Sequence, residues 1–154
     1  MAYRPLCIFL LVFAAGIVSE ISAKAQNHSA RFNHLAIFVK NLHVSDSFYR
    51  NVIGLNPIPE PFHDGKHSWL AVGPGQSLHI IEGAPQAREY YKNNHICFSV
   101  SSVENFTTEL RNRAIPWEDV QGKLNSVTSR VDGVKQIWLR DPDGYWIEIN
   151  DARE

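Results

Sequence analysis

Two stretches of the sequence determine the fold, because they align with each other without a gap. They are WLAVGPGQSLHI at residues 69–80 and WLRDPDGYWIEI at residues 138–149. Both begin with Trp-Leu, reach a glycine at the same place (Gly75 and Gly144), and end in an apolar-X-Ile trio. Glycine adopts the positive φ of a tight turn at little steric cost. The pattern therefore predicts one β-hairpin in each half of the chain.

A second pair of similar segments precedes the hairpins. Residues 33–39 and 94–100 share Asn-His, an apolar residue after it, and a closing Val. Apolar residues at helical spacing follow each segment, at 42–53 and 103–114. The proline-containing segments 56–60 and 115–119 suggest edge strands, and the polar segment 121–134 predicts a long loop that is the best candidate for a flap. The sequence thus predicts an α+β fold with a βαβββ module used twice, at about 31–83 and 92–151.

The repeat also places four metal-binding residue types on one face of the predicted strands. Side chains of a strand alternate between its faces, so His34, His79, His95 and Glu148 oppose the apolar residues that pack on the helices. His34 is equivalent to His95, and His79 to Glu148, so two halves that face each other would bring all four together. One strand His alone is more often a hydrogen-bonded structural residue. Three imidazoles and a carboxylate together suit one divalent ion of Zn, Ni, Fe, Mn or Co.

The length of the chain and its N-terminal segment limit the kinds of protein it can be. The 154 residues leave room for one domain, and a net charge of −1 gives no electrostatic reason to expect a nucleic acid partner. Arg4, an apolar run over 6–18 and Ala-Lys-Ala at 23–25 are typical of a secretory signal peptide. We expect cleavage near Ala25, export to the periplasm or the exterior, a mature domain at 26–154, and no stable membrane association afterwards. Only Cys97 then remains, which excludes an intrachain disulfide.

The motifs around these positions resemble a known superfamily. Residues 33–36 (Asn-His-Leu-Ala), 95–98 (His-Ile-Cys-Phe) and 141–148 (Asp-Pro-Asp-Gly-Tyr-Trp-Ile-Glu) are similar to motifs of the vicinal oxygen chelate proteins. These include glyoxalase I, methylmalonyl-CoA epimerase, fosfomycin-resistance enzymes, extradiol dioxygenases and bleomycin-binding proteins. The resemblance covers nearly the whole mature chain. It implies a U-shaped, half-open mixed β-barrel around the metal with the helices outside, and homodimers are common in the superfamily. His79 departs from the glyoxalase I pattern, which usually has a carboxylate there.

Three functions follow from this reading. The first is a metal-dependent lyase or isomerase, which acts on a small substrate with two adjacent oxygens through an enediolate while Glu148 moves the proton. The second is an extradiol-type Fe(II) dioxygenase that uses His34, His95 and Glu148, with His79 as an acid–base group outside the coordination shell. The third is a non-catalytic protein that binds a small molecule or an antibiotic. Residues on the same inner face that we expect to contact the substrate are Trp138, Arg140 and Trp146.

Overall fold

The computed structural model describes residues 30–153, which form two four-stranded mixed sheets with two α-helices. The predicted signal segment, residues 1–25, lies outside the described residues. Among residues 30–153 there is no helix with the length and apolarity needed to cross a lipid bilayer.

The first module contains β1 (His34–Val39), α1 (Leu42–Phe48), β2 (Asn56–Pro57), β3 (His67–Gly73) and β4 (Gln76–Glu82). Its sheet has the order β1-β4-β3-β2, in which β1 and β4 are parallel and the other pairs are antiparallel. Asn41 begins α1, because its side chain accepts a hydrogen bond from the Val44 amide at 3.1 Å. A π-helical turn, Tyr49–Ile53, extends the helix to Gly54, whose φ of 90° ends it.

The second module repeats this topology with β5 (His95–Ser99), α2 (Val103–Asn112), β6 (Thr128–Ser129), β7 (Lys135–Arg140) and β8 (Trp146–Asn150). Its strand order, β5-β8-β7-β6, matches that of the first module, and β5 is parallel to β8. Ser102 caps α2 through a hydrogen bond from the Asn105 amide at 3.2 Å. The two sheets do not close into a barrel within residues 30–153. The half-open α+β arrangement of two βαβββ modules is therefore confirmed.

The outer strands differ from the sequence-based prediction. β2 contains only the first two residues of the predicted strand at 56–60, and of residues 115–119 only Glu118 forms bridges, to Leu124 and Trp138. The outermost strand of the second sheet is instead β6, inside the segment predicted to be a loop. The physical reason is that proline cannot donate to a strand ladder, and each predicted edge segment contains proline.

A single hydrophobic core lies between the sheets and the helices. In β1, Ile37 and Val39 are buried whereas Ala36 and Phe38 are exposed, as the predicted alternation requires. Leu35 is the exception, because 37% of it is exposed although it shares the face of Ile37. The core combines buried residues from both modules: Ile37, Val39, Tyr49, Leu70, Leu78, Ile80, Val103, Leu110, Trp117, Ile137, Leu139, Ile147 and Ile149.

Buried polar contacts join the first module to the turn that precedes β8. Tyr49 Oη donates to Asp141 Oδ2 at 2.8 Å, and Ser45 Oγ donates to Asp143 Oδ2 at 2.6 Å. Burial raises the pKa of Asp141 to about 6, and burial beside Asp141 raises the pKa of Tyr49. Because Gly144 has a φ of 93°, the turn can close and direct β8 back along β7. The Asp-Pro-Asp-Gly motif therefore ties α1 to the second sheet as well as forming a hairpin.

Candidate metal centre

The first sheet contributes two of the four predicted ligands. His34 lies on β1 and His79 on the adjacent β4, where Ala36 pairs with His79, and the two ring centroids are 5.9 Å apart. His34 Nδ1 is 2.7 Å from Asn33 Oδ1. Since an amide oxygen can only accept, Nδ1 carries the proton and Nε2 keeps its lone pair for a metal ion. The Asn-His dipeptide of the sequence thus sets the tautomer of its own histidine.

His79 is buried among aromatic rings, and the sequence did not predict its principal partner. Its Nε2 is 2.7 Å from Nδ1 of His67, and its ring stacks on Trp69 with the centroids 4.1 Å apart. Burial, followed by the proximity of His67 and His34, lowers the pKa of His79. His79 is therefore a neutral imidazole at pH 7, the form that binds a metal, but its Nε2 is engaged by His67.

His67 is not among the residues that the sequence analysis placed in the site. It belongs to β3, two residues before Trp69, and β3 pairs directly with β4. Its Nε2 is 3.5 Å from Asp64 Oδ2. The spacing of two between His67 and Trp69 was the available signal, because it puts both on the face that carries His79.

The second sheet contributes the other two predicted ligands, already in contact. His95 Nε2 and Glu148 Oε2 are 3.1 Å apart. His95 Nδ1 is 3.0 Å from the Lys92 carbonyl oxygen, which can only accept, so Nδ1 donates there and Nε2 is the nitrogen that faces Glu148. Glu148 Oε1 accepts a hydrogen bond from Asn150 Nδ2 at 2.9 Å. One atom of each ligand is thus held by a neighbouring group, and the two atoms that face each other, His95 Nε2 and Glu148 Oε2, are the ones that would face a metal ion.

Cys97 lies beside this pair, on the same face of β5. Its thiol is 3.5 Å from Glu148 Oε1. Desolvation, and then the adjacent carboxylate, raise the pKa of Cys97 to about 12 even though the residue is partly open to solvent. The side chain is therefore a neutral thiol at pH 7. It is a poor metal ligand and a poor nucleophile in that state.

The structure brings the predicted ligands together as two pairs. His34 and His79 lie on the first sheet, and His95 and Glu148 on the second. In the part of the chain described here, no three His, Cys, Asp or Glu side chains are close enough to hold one metal ion. The donor types of the two pairs, two imidazoles in the first and an imidazole with a carboxylate in the second, nevertheless suit a divalent ion. Each pair fits as half of a site.

The residues expected to contact substrate surround the second pair. Trp138 on β7 pairs with Glu148, and Trp146 on β8 pairs with both His95 and Arg140. The Arg140 guanidinium lies 4.4 Å from the Trp146 ring centroid. These three side chains therefore share the inner face with His95 and Glu148. A fourth, Lys92, was not predicted, and its ammonium lies 5.1 Å from the Trp138 ring centroid.

The chain is similar in sequence and in fold to proteins of known families. A model of the Glyoxalase/Bleomycin resistance protein/Dioxygenase superfamily matches residues 31–149. The chain is 28% identical over 130 residues to "Glyoxylase I 4" of Arabidopsis thaliana, covering 79% of this chain and 71% of the relative. It is 24% identical over 166 residues to the lactoylglutathione lyase of Pseudomonas putida, covering 84% and 90%. Among solved structures, "Oxidase ChaP-H2" superposes with a TM-score of 0.66 at 19% identity, covering 81% and 95%.

Proposed function

Because this chain belongs to the Glyoxalase/Bleomycin resistance protein/Dioxygenase superfamily, we propose that it is a divalent-metal-dependent lyase or isomerase. Its substrate is a small molecule with two adjacent oxygens. The observation that carries the proposal is the orientation of both exposed histidines: His34 and His95 each donate Nδ1–H to an oxygen, which turns Nε2 the other way, in His95 toward Glu148 Oε2. A purely structural histidine on an open sheet face has no need of this arrangement.

The four side chains would hold one ion of Zn, Ni, Fe, Mn or Co. When bound, such an ion supplies a Lewis acid that polarises neighbouring substrate oxygens. Glu148 is the group that moves a proton, because its Oε2 faces the site while Asn150 holds its Oε1. The burial of Glu148, only 7% exposed, keeps water from competing for this carboxylate.

We further propose that a second copy of the chain completes the site. Support comes from the separation of the two pairs, since residues 30–153 bring no three potential ligands together. Pairs on different sheets meet if the first sheet of one protomer faces the second sheet of its partner. A two-fold dimer then contains two equivalent sites, each built from His34 and His79 of one chain and His95 and Glu148 of the other.

One observation favours a second function, an extradiol-type dioxygenase. His67 occupies Nε2 of His79 at 2.7 Å, which leaves His34, His95 and Glu148 as the available donors. Two histidines and one carboxylate are the ligand set of non-haem Fe(II) oxygenases. His79 would then act as an acid–base group beside the metal, with its proton shared with His67. The similarity to "Oxidase ChaP-H2" is a similarity of fold.

Metal content and two activity assays test the proposal. We expect the protein, purified without oxygen, to bind about one divalent ion per chain, and a His34→Ala, Glu148→Ala double variant to bind none. Isomerisation of the adduct of methylglyoxal and a thiol would support the lyase. Fe(II) dependence with oxygen uptake on catechols would replace it by the dioxygenase. A wild-type protein that takes up no metal from any of the five ions would refute both and leave a binding protein.

A further inference from the structure

We propose that a cavity on the inner face of the second sheet binds a small planar carboxylate through the Arg140 guanidinium. This names the substrate class of the proposed enzyme and rests on the proposed function for its place in the reaction. The binding itself does not require a metal ion. The shape of the cavity, the position of the guanidinium and the local charge all favour such a ligand.

The cavity is of a size and character that suit one flat ring. Its volume is about 180 Å³, and Trp117, Trp138 and Trp146 form aromatic walls while Pro116 and Leu124 add aliphatic ones. An apolar protein cavity of roughly 150 Å³ accepts benzene. Trp138 and Trp146 are almost fully buried, 4% and 6% exposed, so they present fixed surfaces rather than mobile side chains. A ring that enters this cavity meets flat, apolar walls, beside the Glu118 carboxylate that also lines it.

Arg140 is positioned before any ligand binds. Its guanidinium lies 4.4 Å from the Trp146 ring centroid, and the Trp146 indole is held in turn by a hydrogen bond from Nε1 to the Tyr90 carbonyl at 3.0 Å. Stacking on a fixed indole restricts the guanidinium without using its N–H donors. A planar carboxylate can accept two of these donors at once, and the entropy cost of ordering the side chain is reduced.

The charge around the cavity selects a monoanion. The Lys92 ammonium is 2.7 Å from Glu118 Oε1, so these two charges compensate each other. Arg140 has no carboxylate partner and no side-chain hydrogen bond among residues 30–153. It is the uncompensated cation of the cavity lining. A single guanidinium in an aromatic cavity matches one carboxylate better than a phosphate, which carries more charge and needs more donors.

The cavity adjoins the half of the metal centre on the second sheet. Trp138 pairs with Glu148 across β7 and β8, and its ring is 6.2 Å from that of His95. A carboxylate held by Arg140 leaves the remainder of the molecule directed along the same face toward His95 and Glu148. The proposed substrate is therefore a planar or aromatic molecule that carries a carboxylate in addition to its two adjacent oxygens.

The test is benzoate binding to metal-free protein, followed by NMR of the ¹⁵N-labelled indole groups. We expect benzoate to shift the signals of the three lining indoles, Trp117, Trp138 and Trp146, and leave that of Trp69, on the first sheet, unchanged. Arg140→Gln should weaken benzoate binding about tenfold, and Arg140→Lys should weaken it less, because charge remains but the planar fork is lost. The matched control is Arg111→Gln: this guanidinium also stacks on an indole that lines the cavity, that of Trp117, but Arg111 itself is not part of the lining.

The results separate this inference from the proposed function. The inference would be overturned if benzoate bound Arg140→Gln as tightly as it binds the wild type. It would also be overturned if benzyl alcohol, the neutral analogue of benzoate, bound the wild type as tightly as benzoate does. Inorganic phosphate that binds wild type more tightly than benzoate would overturn the choice of a carboxylate. Metal titration of the same samples is independent. A protein that binds benzoate through Arg140 but takes up no metal would refute the enzyme and support the carboxylate site.

Discussion

The two glycines at equivalent positions of the repeat should respond very differently to substitution by alanine. Gly75 and Gly144 both have positive φ, 67° and 93°. A Cβ added at Gly75 meets nothing within 4 Å, whereas one added at Gly144 lies 2.1 Å from the Arg88 carbonyl oxygen. The Arg88 amide also donates to the Asp143 carbonyl at 3.1 Å. The turn before β8 is therefore packed against another backbone segment, and the turn before β4 is open.

The expected magnitudes follow from these contacts. A positive φ costs an alanine about 1–2 kcal/mol, and both variants incur that cost. Gly144→Ala in addition forces backbone apart, which costs about 1–3 kcal/mol by analogy with overpacking, and it disturbs a hydrogen bond worth about 1 kcal/mol. We predict a loss of roughly 1 kcal/mol in the free energy of unfolding for Gly75→Ala and roughly 4 kcal/mol for Gly144→Ala.

Urea denaturation of the purified protein, followed by tryptophan fluorescence and circular dichroism, measures both values. A useful third variant is Gly133→Ala, since Gly133 also has a positive φ, 86°, and its added Cβ meets nothing within 4 Å. It should behave like Gly75→Ala. Equal destabilisation by Gly144→Ala and Gly75→Ala would refute the close approach of the Arg88 carbonyl to this turn.

Three further predictions concern the titration of the buried turn and the metal centre. Burial raises the pKa of Asp141 from 3.8 to about 6, so between these pH values the folded protein keeps a proton that the unfolded chain releases. Urea titrations should therefore show that the free energy of unfolding, relative to that of Asp141→Asn, falls by up to about 3 kcal/mol as pH rises from about 4 to about 6. A difference between the two proteins that does not change with pH would contradict this. Asn33→Ala removes the acceptor that sets the His34 tautomer, so the metal affinity measured by calorimetry should be at least about tenfold lower than that of the wild type. An unchanged metal affinity would contradict this role of Asn33. His67→Phe preserves an aromatic ring but releases Nε2 of His79; metal affinity should rise if His79 is a ligand, and no rise would place His79 outside the coordination shell.

The local structure was predictable because it depends on short-range patterns. Alternation of side chains identified the face of β1 that carries His34, and the glycine shared by the two aligned stretches identified the hairpin at Gly144. Both rest on residues a few positions apart in sequence, where backbone geometry restricts the outcome. The repeat then extended each assignment from one half of the chain to the other.

What the sequence did not reveal depends on contacts between distant segments. The carbonyl of Lys92, not the adjacent Asn94, holds His95 Nδ1, although the Asn-His repeat suggests equivalent roles. The bond between His67 and His79 arises because β3 pairs with β4, and its register depends on the whole hairpin. Symmetry of the sequence likewise implied that four ligands meet, but whether they meet within one chain is decided by how the two sheets are placed.

The most direct test of the proposed metal centre is to restore a site from two inactive chains. One variant carries His34→Ala and His79→Ala, and the other carries His95→Ala and Glu148→Ala, so that each lacks one of the two pairs. Refolded together and purified by two different tags, a mixed dimer has one site with all four ligands and one with none. We predict about one metal ion per mixed dimer and almost none in either variant alone. A mixed dimer that binds no metal, beside a wild-type protein that does, would contradict a site shared between two chains.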